Sequence, residues 1–359
     1  MNILISPLNW GIGHATRIVP IIKYLKKTHN VTIAADGNSY FFLKKEFPEL
    51  IIKKAPSLEI HYSPTRFLMP FKILITIPKL LIFYFKNRKW IESYIKKHKT
   101  DVIISDNRFG FFSKKVKSIF ITHQIRIAMP KNLRIFSNLA FGVNKLNIEK
   151  FNECWIPDKN SQLSGKLSDT KKLKIITHEI GILSRFTNNI NKEKRAKYDI
   201  LIIISGPEPQ RTIFEKKITE SLKKSSYKTL ILSGKPQKSD ITTQNNITIK
   251  SHVSTDAFLE YLTSSKIIIA RAGYSTIMDL IALKKTAIII PTPGQTEQEY
   301  LADYLHNKEL FIRAKQDNFD VYKSINDLIN KKTTLTNNIK NVKTNINLCD
   351  FLDNKLGKI

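Results

Sequence analysis

The sequence predicts an α/β protein with two doubly wound, Rossmann-like domains facing each other across a cleft. Short apolar runs alternate with amphipathic stretches along most of the 359 residues, which is typical of parallel strands joined by helices. The chain is too long for one ordinary core. A polar, basic stretch at residues 187–197 lacks apolar periodicity and separates two sets of strands. We therefore predict an N-terminal domain at 1–186, a linker at 187–198, a C-terminal domain at 199–344 and a terminal segment at 345–359.

The first predicted elements are a short buried strand at residues 2–6 and an amphipathic helix at about 15–27. The loop between them contains Gly11 and Gly13, which permit a tight turn, and His14 falls at the start of the helix. A lone Gly-x-Gly motif is weak evidence for a binding loop. The alternative is that His14 is a helix-terminal residue without chemistry.

Further apolar runs predict the other strands of the first half at residues 31–34, 102–105, 118–122 and 154–156. Asp106 follows the second of these strands, and His123 follows the third. Because the carboxyl ends of parallel strands meet at one edge of a sheet, Asp106 or His123 is expected to face the cleft. The alternative is structural, with Asp106 capping a turn and His123 bonding at a strand end.

Residues 67–89 are almost all aliphatic or aromatic apart from their basic residues. Lys72, Lys79 and Lys86 are seven residues apart and share one stripe of a helix. Lys72, Pro78 and Lys79 interrupt the segment too early for a bilayer span of about 20 apolar residues. The pattern favours a helix that lies in a membrane interface. The alternative is a buried helix pair, broken at Pro78, under the first sheet.

The second half begins with a predicted strand at residues 199–204, a turn, and a helix at about 212–224. In the turn, Ser205 and Gly206 can donate hydrogen bonds to a phosphate, and Arg211 can add positive charge. The alternative is a solvent-exposed, proline-rich turn.

Two consecutive turns later in the chain carry further polar residues. They follow predicted strands at residues 267–270 and 286–290, which come after strands at 229–233 and 246–249. Gly273 permits close approach of the backbone to a phosphate, and Ser275 and Thr276 fall at a helix start with unpaired N–H groups.

Carboxylates and amides accompany these two turns. Asp279, about one turn into its helix, can accept hydrogen bonds from a ribose diol. Glu297 and Gln298 lie beside the second turn and suit sugar hydroxyls. The alternative is a plain βαβ unit in which Thr276 and Asp279 form a capping box.

Residues 271–279, with Pro291 and the pair Glu297-Gln298, resemble the donor-binding region of family 28 glycosyltransferases, which includes the peptidoglycan N-acetylglucosaminyltransferase. The family pattern is Arg-Ser-Gly-x-x-Thr-x-x-Glu. Here Asp279 stands in place of the ribose-binding Glu, and Glu299 stands where a second Gln is usual. The resemblance implies a GT-B fold and a nucleotide-sugar donor.

The N-terminal loop is similar to the Gly-Gly-x-Gly-Gly-His loop of the same family. Its Gly-x-Gly-His-Ala-Thr-Arg form is nearest to uncharacterised relatives in archaea and Bacteroidetes, and Asn9, Trp10 and Ile12 make it bulkier. We assign Gly11 and Gly13, together with His123, to the acceptor side.

Two further features also match the family. Gly181 and Arg185 resemble its Gly-x-x-x-Arg junction, which implies that Arg185 reaches the donor pyrophosphate. In such folds a C-terminal helix often returns to the first domain, and residues 345–356 have the apolar spacing for it.

The chain is strongly basic, with a formal charge of +29. Residues 1–185 hold 32 Lys and Arg and 12 Asp and Glu, a net charge of +20 that leaves +9 for the rest. An A/T-rich genome explains abundant lysine but not this asymmetry. A basic N-terminal domain is attracted to anionic membrane or nucleic acid, and residues 67–89 favour membrane, so we expect no nucleic-acid partner.

Compartment and location follow from the cysteines and the N-terminus. Cys154 and Cys349 cannot form a disulfide framework, which suits a reducing cytoplasm. Met1 leads directly into a strand, so no signal peptide is expected. We predict a cytoplasmic protein peripherally associated with the inner face of the membrane.

We predict an inverting glycosyltransferase that moves a sugar to a lipid or lipid-linked acceptor. The resemblance implies that the donor is a UDP-sugar, used as co-substrate, and that the reaction needs no metal or other cofactor. His14 and Asp106 are the candidate bases. A general base works best with a near-neutral pKa, which favours histidine. The positive end of its helix is expected to lower the pKa of His14. The alternatives are a UDP-sugar 2-epimerase and a non-catalytic protein that binds nucleic acid or membrane.

Overall fold

The computed structural model of the chain has two largely parallel sheets with helices on their faces, which confirms the predicted α/β class. The structure describes residues 1–58, 69–186, 195–343 and 346–357. Within these residues, fourteen strands form two sheets of seven strands.

The first sheet is parallel throughout, in the order β3-β2-β1-β4-β5-β6-β7. Its strands are β1 (Asn2–Pro7), β2 (Asn30–Ala35), β3 (Ile51–Lys54), β4 (Val102–Asp106), β5 (Lys117–Ile121), β6 (Glu153–Ile156) and β7 (Ile176–Glu179). The strand order reverses between β1 and β4, so the loops after these two strands diverge and leave a crevice at their carboxyl ends.

The second sheet repeats this plan in the order β10-β11-β9-β8-β12-β13-β14. Its strands are β8 (Tyr198–Ile203), β9 (Thr229–Leu232), β10 (Ile241–Gln244), β11 (Ile247–Lys250), β12 (Ser265–Arg271), β13 (Ile288–Ile290) and β14 (Ile312–Arg313). Only the β10–β11 pair is antiparallel among the described strand pairs. The order reverses between β8 and β12, which places a second crevice after those strands.

Helices connect the strands and cover both sheets. The α-helices are α1 (Gly13–Leu25), α2 (Gly37–Glu46), α3 (Met69–Lys97), α4 (Ser137–Ile148), α5 (Gln210–Leu222), α6 (Thr255–Thr263), α7 (Tyr274–Ala282), α8 (Thr296–Asn307), α9 (Val321–Asn341) and α10 (Leu348–Leu356), with short 3-10 helices at Lys131–Phe136 and Gly165–Ser168. Helix α1 buries its apolar face on the first sheet, which fixes the loop after β1 in place.

A single helix, α3, occupies most of the apolar segment at residues 67–89. Residues 67 and 68 lie outside the described part of the chain, as does the side chain of Lys72. The helix continues through Pro78, so the alternative of a helix pair broken there is wrong. Its C-terminal half packs Ile91 against the first sheet, whereas its N-terminal half leaves apolar side chains exposed.

The last helix, α10, packs on the first half of the chain. The hydroxyl of Tyr24 donates to Asp353 Oδ1 at 2.6 Å, and the ring of Phe351 lies 4.9 Å from that of Trp155. Residues 187–194 of the predicted linker lie outside the described residues. Strand β8 begins at Tyr198, which is the last residue of the predicted linker. The domain boundaries therefore stay a prediction.

Candidate active site

A cleft lies between the carboxyl ends of the two sheets. The loops after β1, β5, β8 and β12 and the start of α8 form its walls. Thirteen of the fifteen site residues predicted from the sequence line it: Gly11, Gly13, His14, His123, Arg185, Ser205, Gly206, Gly273, Ser275, Thr276, Asp279, Glu297 and Gln298. The topology brings them together because both strand-order reversals open toward the same space.

Arg211 is not among the residues that line the cleft, contrary to expectation. Its guanidinium Nε donates to Glu208 Oε1 at 3.0 Å, and Nη1 donates to the carbonyl oxygen of Gly234 at 3.2 Å. These local partners take up its charge, so the structure does not place Arg211 at the predicted phosphate site.

Asp106 is also absent from the cleft surface, because it lies directly behind His14. It is the last residue of β4 and is fully buried. His14 Nδ1 lies 3.2 Å from Asp106 Oδ1. An ionised carboxylate only accepts hydrogen bonds, so neutral His14 carries its proton on Nδ1 and leaves Nε2 as an acceptor.

Electrostatics keep this pair in the form that a base requires. Burial raises the pKa of Asp106, but the charges of Arg17 and His14 outweigh burial and hold it at about 2. Burial and the Arg17 charge lower the pKa of His14, with Asp106 in partial opposition. The lowered pKa of His14 agrees with the sequence prediction. Its causes are burial and Arg17, whereas the sequence suggested the end of the helix.

Arg17 is a site residue that the sequence did not single out. Its Nε donates to Asp106 Oδ2 at 2.7 Å, its Nη2 donates to Asp106 Oδ1, and its Nη1 lies 3.1 Å from His123 Nδ1. The side chain is 2% exposed. The signal that was available is its place one turn after His14 on the buried face of α1.

His123 connects the two walls of the cleft. Its Nε2 lies 2.7 Å from Glu297 Oε1 on α8, and its ring stacks on that of Tyr274 with centroids 3.8 Å apart. Burial raises the pKa of Glu297, but the neighbouring His123, His14 and Arg17 hold it below its ordinary value. Glu297 is therefore a carboxylate acceptor at neutral pH.

The glycine-rich loop after β1 touches the opposite wall through its backbone. Ser275 Oγ donates to the carbonyl oxygen of Gly13 at 2.7 Å. A Cβ at Gly13 would lie 3.3 Å from that hydroxyl, so a larger residue would require the Ser275 side chain to shift. Gly11 has a φ of +73° and a site for a Cβ 4.0 Å from the Cα of Gly206.

The other end of the cleft contains Asp279. It accepts a hydrogen bond from Ser184 Oγ at 2.7 Å and lies 3.4 Å from Arg185 Nη2. Helix α7 has no side-chain cap, so the capping-box alternative for Thr276 and Asp279 is wrong. Burial raises the pKa of Asp279, with Arg185 in opposition.

Arg185 lies over aromatic rings at the same end of the cleft. Its guanidinium is 4.6 Å from the ring centroid of Phe258 and 5.9 Å from that of Phe42. Among the described residues, its buried Nε has no hydrogen-bond partner. This end therefore offers planar stacking surfaces and an unused donor.

His252 also lines this end and was missed by the sequence reading. It follows β11, so the rule that found Asp106 and His123, a polar residue after a strand, applies to it as well. Burial, with smaller effects of Lys45 and Arg185, lowers its pKa to about 4.

Gln298, beside Glu297, is already engaged within its own domain. Its Oε1 accepts a hydrogen bond from the backbone N–H of Thr292 at 2.9 Å. Gln295 caps α8 through its side chain, and Glu299 Oε1 accepts from the N–H of Gly294 at 3.0 Å. The turn before α8 is thus held by side chains of the helix that it introduces.

Comparison with known proteins identifies the domain that carries this half of the cleft. The profile of the glycosyltransferase family 28 C-terminal domain matches residues 207–348. Those residues are similar to that C-terminal domain, and the match spans less than half of the chain. The match includes Gly273, Asp279 and Gln298 and agrees with the resemblance drawn from the sequence motifs.

One curated relative and several solved structures extend the comparison. A UDP-N-acetylglucosamine–N-acetylmuramyl-(pentapeptide) pyrophosphoryl-undecaprenol N-acetylglucosamine transferase from Sulfurihydrogenibium sp. (strain YO3AOP1) is 25% identical over 177 residues, which is 47% of this chain and 50% of that protein. The chain thus matches about half the length of this relative.

The solved structures show the fold over the whole chain. The glycotransferase of kitacinnamycin has a TM-score of 0.66 at 12% identity and covers 99% of this chain and 98% of its own. The Streptomyces sp. SF2575 glycosyltransferase SsfS6 with thymidine diphosphate has a TM-score of 0.60 at 12% identity, covering 95% and 94%. Arabidopsis thaliana UGT89C1 with UDP-L-rhamnose has 0.60 at 12%, covering 94% and 92%. The fold is that of the two-domain GT-B glycosyltransferases.

We expect the protein to lose stability as pH falls from about 6.5 to about 4, partly through His252. The folded protein binds fewer protons than the unfolded chain in this window, because the pKa of His252 is lowered from 6.5 to about 4. His252→Gln should therefore reduce the drop in melting temperature between pH 7 and pH 5. The same substitution at exposed His98 is the control. Equal drops in wild type and both variants would contradict the prediction.

Proposed function

We propose that the protein is an inverting, metal-independent glycosyltransferase that transfers a sugar from a UDP-sugar. One observation carries the proposal: His14, backed by Asp106, faces Asp279 and Glu297 across a single cleft. A candidate base and a candidate donor site thus meet in the space between two domains, one of which matches the family 28 C-terminal domain. The names of the curated relative and of the Arabidopsis complex support uracil as the donor base.

The donor nucleotide fits the end of the cleft that contains Asp279. Its carboxylate can accept hydrogen bonds from a ribose diol. Arg185, with the Phe258 ring against it, offers a planar surface on which a nucleobase can stack. The N–H groups at the start of α7 and the turn at Ser205 and Gly206 then face the diphosphate, where the helix dipole favours negative charge.

The reaction is a single displacement at the anomeric carbon. His14 Nε2 takes the proton of the acceptor hydroxyl while that oxygen bonds to the anomeric carbon from the face opposite the diphosphate. The bond from the anomeric carbon to the diphosphate breaks, and UDP leaves with its electron pair. Asp106 holds the Nδ1–H of His14 and stabilises the imidazolium that forms, so its role is to orient the base.

The transferred sugar fits between these two groups, beside Glu297 and Gln298. Glu297 is an anionic acceptor at neutral pH, and its Oε1 is aligned by His123. Charged hydrogen bonds to sugar hydroxyls are strong and directional. Glu297 and Gln298 therefore determine which sugar is transferred.

The acceptor is proposed to arrive from a membrane surface next to the first domain. Exposed apolar side chains on α3 and α4 form what we call the apolar face: Ile75, Leu81, Ile82, Phe85, Leu139, Val143 and Leu146. Lys150, just after α4, donates to the hydroxyl of Tyr84 in α3 at 3.0 Å and joins the two helices. No helix among the described residues is long and apolar enough to cross a bilayer.

The apolar face is close to the acceptor side of the cleft. Asn144 of α4 donates to the carbonyl oxygens of Gln124 and Ile125 at 2.9 and 2.7 Å. These residues directly follow His123, and Gln124 lines the cleft. Helix α4 is about 10–12 Å across, so its outer surface lies about one helix diameter from the acceptor subsite. This supports a lipid or lipid-linked acceptor and peripheral binding at the cytoplasmic face of the membrane.

Asp279→Ala should weaken UDP binding about 10-fold or more, because the loss of one partner of a charged hydrogen bond costs about 1.5–3 kcal/mol. Isothermal titration calorimetry with UDP, thymidine diphosphate and GDP measures the affinities and ranks the three nucleobases. Asp303→Ala, at a carboxylate paired with Arg313 outside the cleft, is the control. Equal affinities for UDP would remove Asp279 from the site, and a wild type that binds no nucleotide would refute the donor proposal.

His14→Ala should reduce turnover by about 10²–10⁴-fold and leave UDP affinity nearly unchanged. The assay supplies labelled UDP-sugars with a total lipid extract and repeats the wild-type measurement in EDTA. Asp106→Asn is expected to be slow as well, since the proton on His14 Nδ1 is then no longer held. A His14 variant with near-normal turnover would remove His14 as the base. Conversion of the UDP-sugar without acceptor would favour the epimerase alternative.

Replacement of Lys79, Lys86 and Lys89 by Gln should strongly reduce co-sedimentation with anionic vesicles at low salt. Each lysine near such a surface contributes about 1 kcal/mol, and salt screens the attraction. The matched control changes three exposed lysines of α9, Lys331, Lys332 and Lys340, to Gln. A wild type that stays in the supernatant with anionic vesicles would refute membrane binding.

A further inference from the structure

Arg17 lies buried between the two histidines that line the acceptor side of the cleft. Two of its nitrogens bind the two oxygens of Asp106, the partner of His14, and a third lies 3.1 Å from His123 Nδ1. One planar group therefore contacts the partner of His14 and the ring of His123. The side chains of Asp106 and Arg17 are 0% and 2% exposed, so water does not screen the arrangement.

The contact with His123 decides which of its nitrogens carries the proton. A guanidinium offers only donors and keeps its protons, so His123 Nδ1 must accept. The neutral ring then has its proton on Nε2, which donates to Glu297 Oε1 at 2.7 Å. Arg17 thereby sets the hydrogen bond that aligns Glu297 from the opposite domain.

The charge of Arg17 also acts on His14. The groups that face His14 are Asp106 at the end of β4, His123 after β5, Glu297 on α8 and Arg17 on its own helix. Burial, the charge of Arg17 and His123 oppose protonation of His14, whereas Asp106 favours the protonated ring both by its charge and by its hydrogen bond. The pairing of Arg17 with Asp106 therefore lets the carboxylate orient His14 without fixing a second proton on it.

We propose that Arg17 is a positioning residue that orients His14 through Asp106 and Glu297 through His123. One side chain then sets both the candidate base and the candidate sugar subsite. The catalytic meaning of this inference rests on the proposed function, but the proton positions that it specifies exist with or without turnover. Lysine cannot replace Arg17, because a single ammonium group lacks the planar fork that reaches Asp106 and His123 together.

Histidine tautomers test the proposal independently of activity. Protein labelled with ¹⁵N at histidine gives the signals, which His14→Gln and His123→Gln variants assign, and a titration from about pH 8 to pH 5 follows them. We expect neutral His14 as the Nδ1–H form and neutral His123 as the Nε2–H form. His123 in the Nδ1–H form would overturn the proposal.

Two substitutions of Arg17 separate its charge from its geometry. Arg17→Gln should raise the midpoint of His14 and move the acidic limb of kcat/KM to higher pH, because burial and His123 alone then oppose Asp106. Arg17→Lys retains the charge, so the limb should stay in place while kcat falls by about 10–100-fold through misorientation. UDP affinity should stay within about two-fold in both, since the proposed nucleotide contacts lie elsewhere. Arg313→Lys, at an ion pair outside the cleft, is the matched control.

Folded Arg17 variants with wild-type kcat and an unmoved acidic limb would overturn the proposal. If Arg17→Gln does not fold, the wild-type tautomers and the Arg17→Lys kinetics still decide it. A wild type that binds no UDP and transfers no sugar defeats the proposed function, whereas the tautomers of His14 and His123 would still support or refute the role of Arg17.

Discussion

The buried ion pair between Arg17 and Asp106 is the interaction on which the geometry of the candidate site depends. Charges withdrawn from water are tolerated only when their geometry is good and their remaining donors and acceptors are used. Here the pair is bidentate. Asp106 also contacts His14, and the remaining nitrogen of Arg17 contacts His123. Removal of one partner from a buried ion pair destabilises a protein by about 3–5 kcal/mol. The stability of the first domain therefore depends on this pair.

The groups proposed to bind the donor already have partners within the protein. Ser275 bonds to Gly13, and Glu297 bonds to His123, in both cases across the cleft. A ligand that takes these groups exchanges one hydrogen bond for another, and the net gain per exchange is only about 0.5–1.5 kcal/mol. Contacts across the cleft are also the ones that break when the domains separate. Donor binding and opening of the cleft therefore involve the same hydrogen bonds.

The buried parallel strands could be predicted from the sequence, and the edge strands could not. Strands such as β1, β8 and β12 are covered on both faces and read as continuous apolar runs. By contrast, β10 (Ile241–Gln244) is exposed along its length, and β3 ends in two lysines. Such strands form because a neighbouring strand offers its hydrogen-bonding edge, which is a tertiary effect that local pattern does not show.

The site was predictable to the extent that strand ends determine position. Polar residues after buried strands, such as His123, were found because parallel sheets bring those ends together. The rule does not say whether a side chain faces the cleft: Asp106 lies behind His14, and the charge of Arg211 goes to Glu208, three residues earlier. Arg17 was missed for the opposite reason, since an arginine within a helix is usually solvated and its acidic partner here is 89 residues away along the chain. In this chain, the charge of Arg211 is taken up by a carboxylate within one helical turn, whereas the carboxylate that pairs with Arg17 is too distant for the sequence alone to identify.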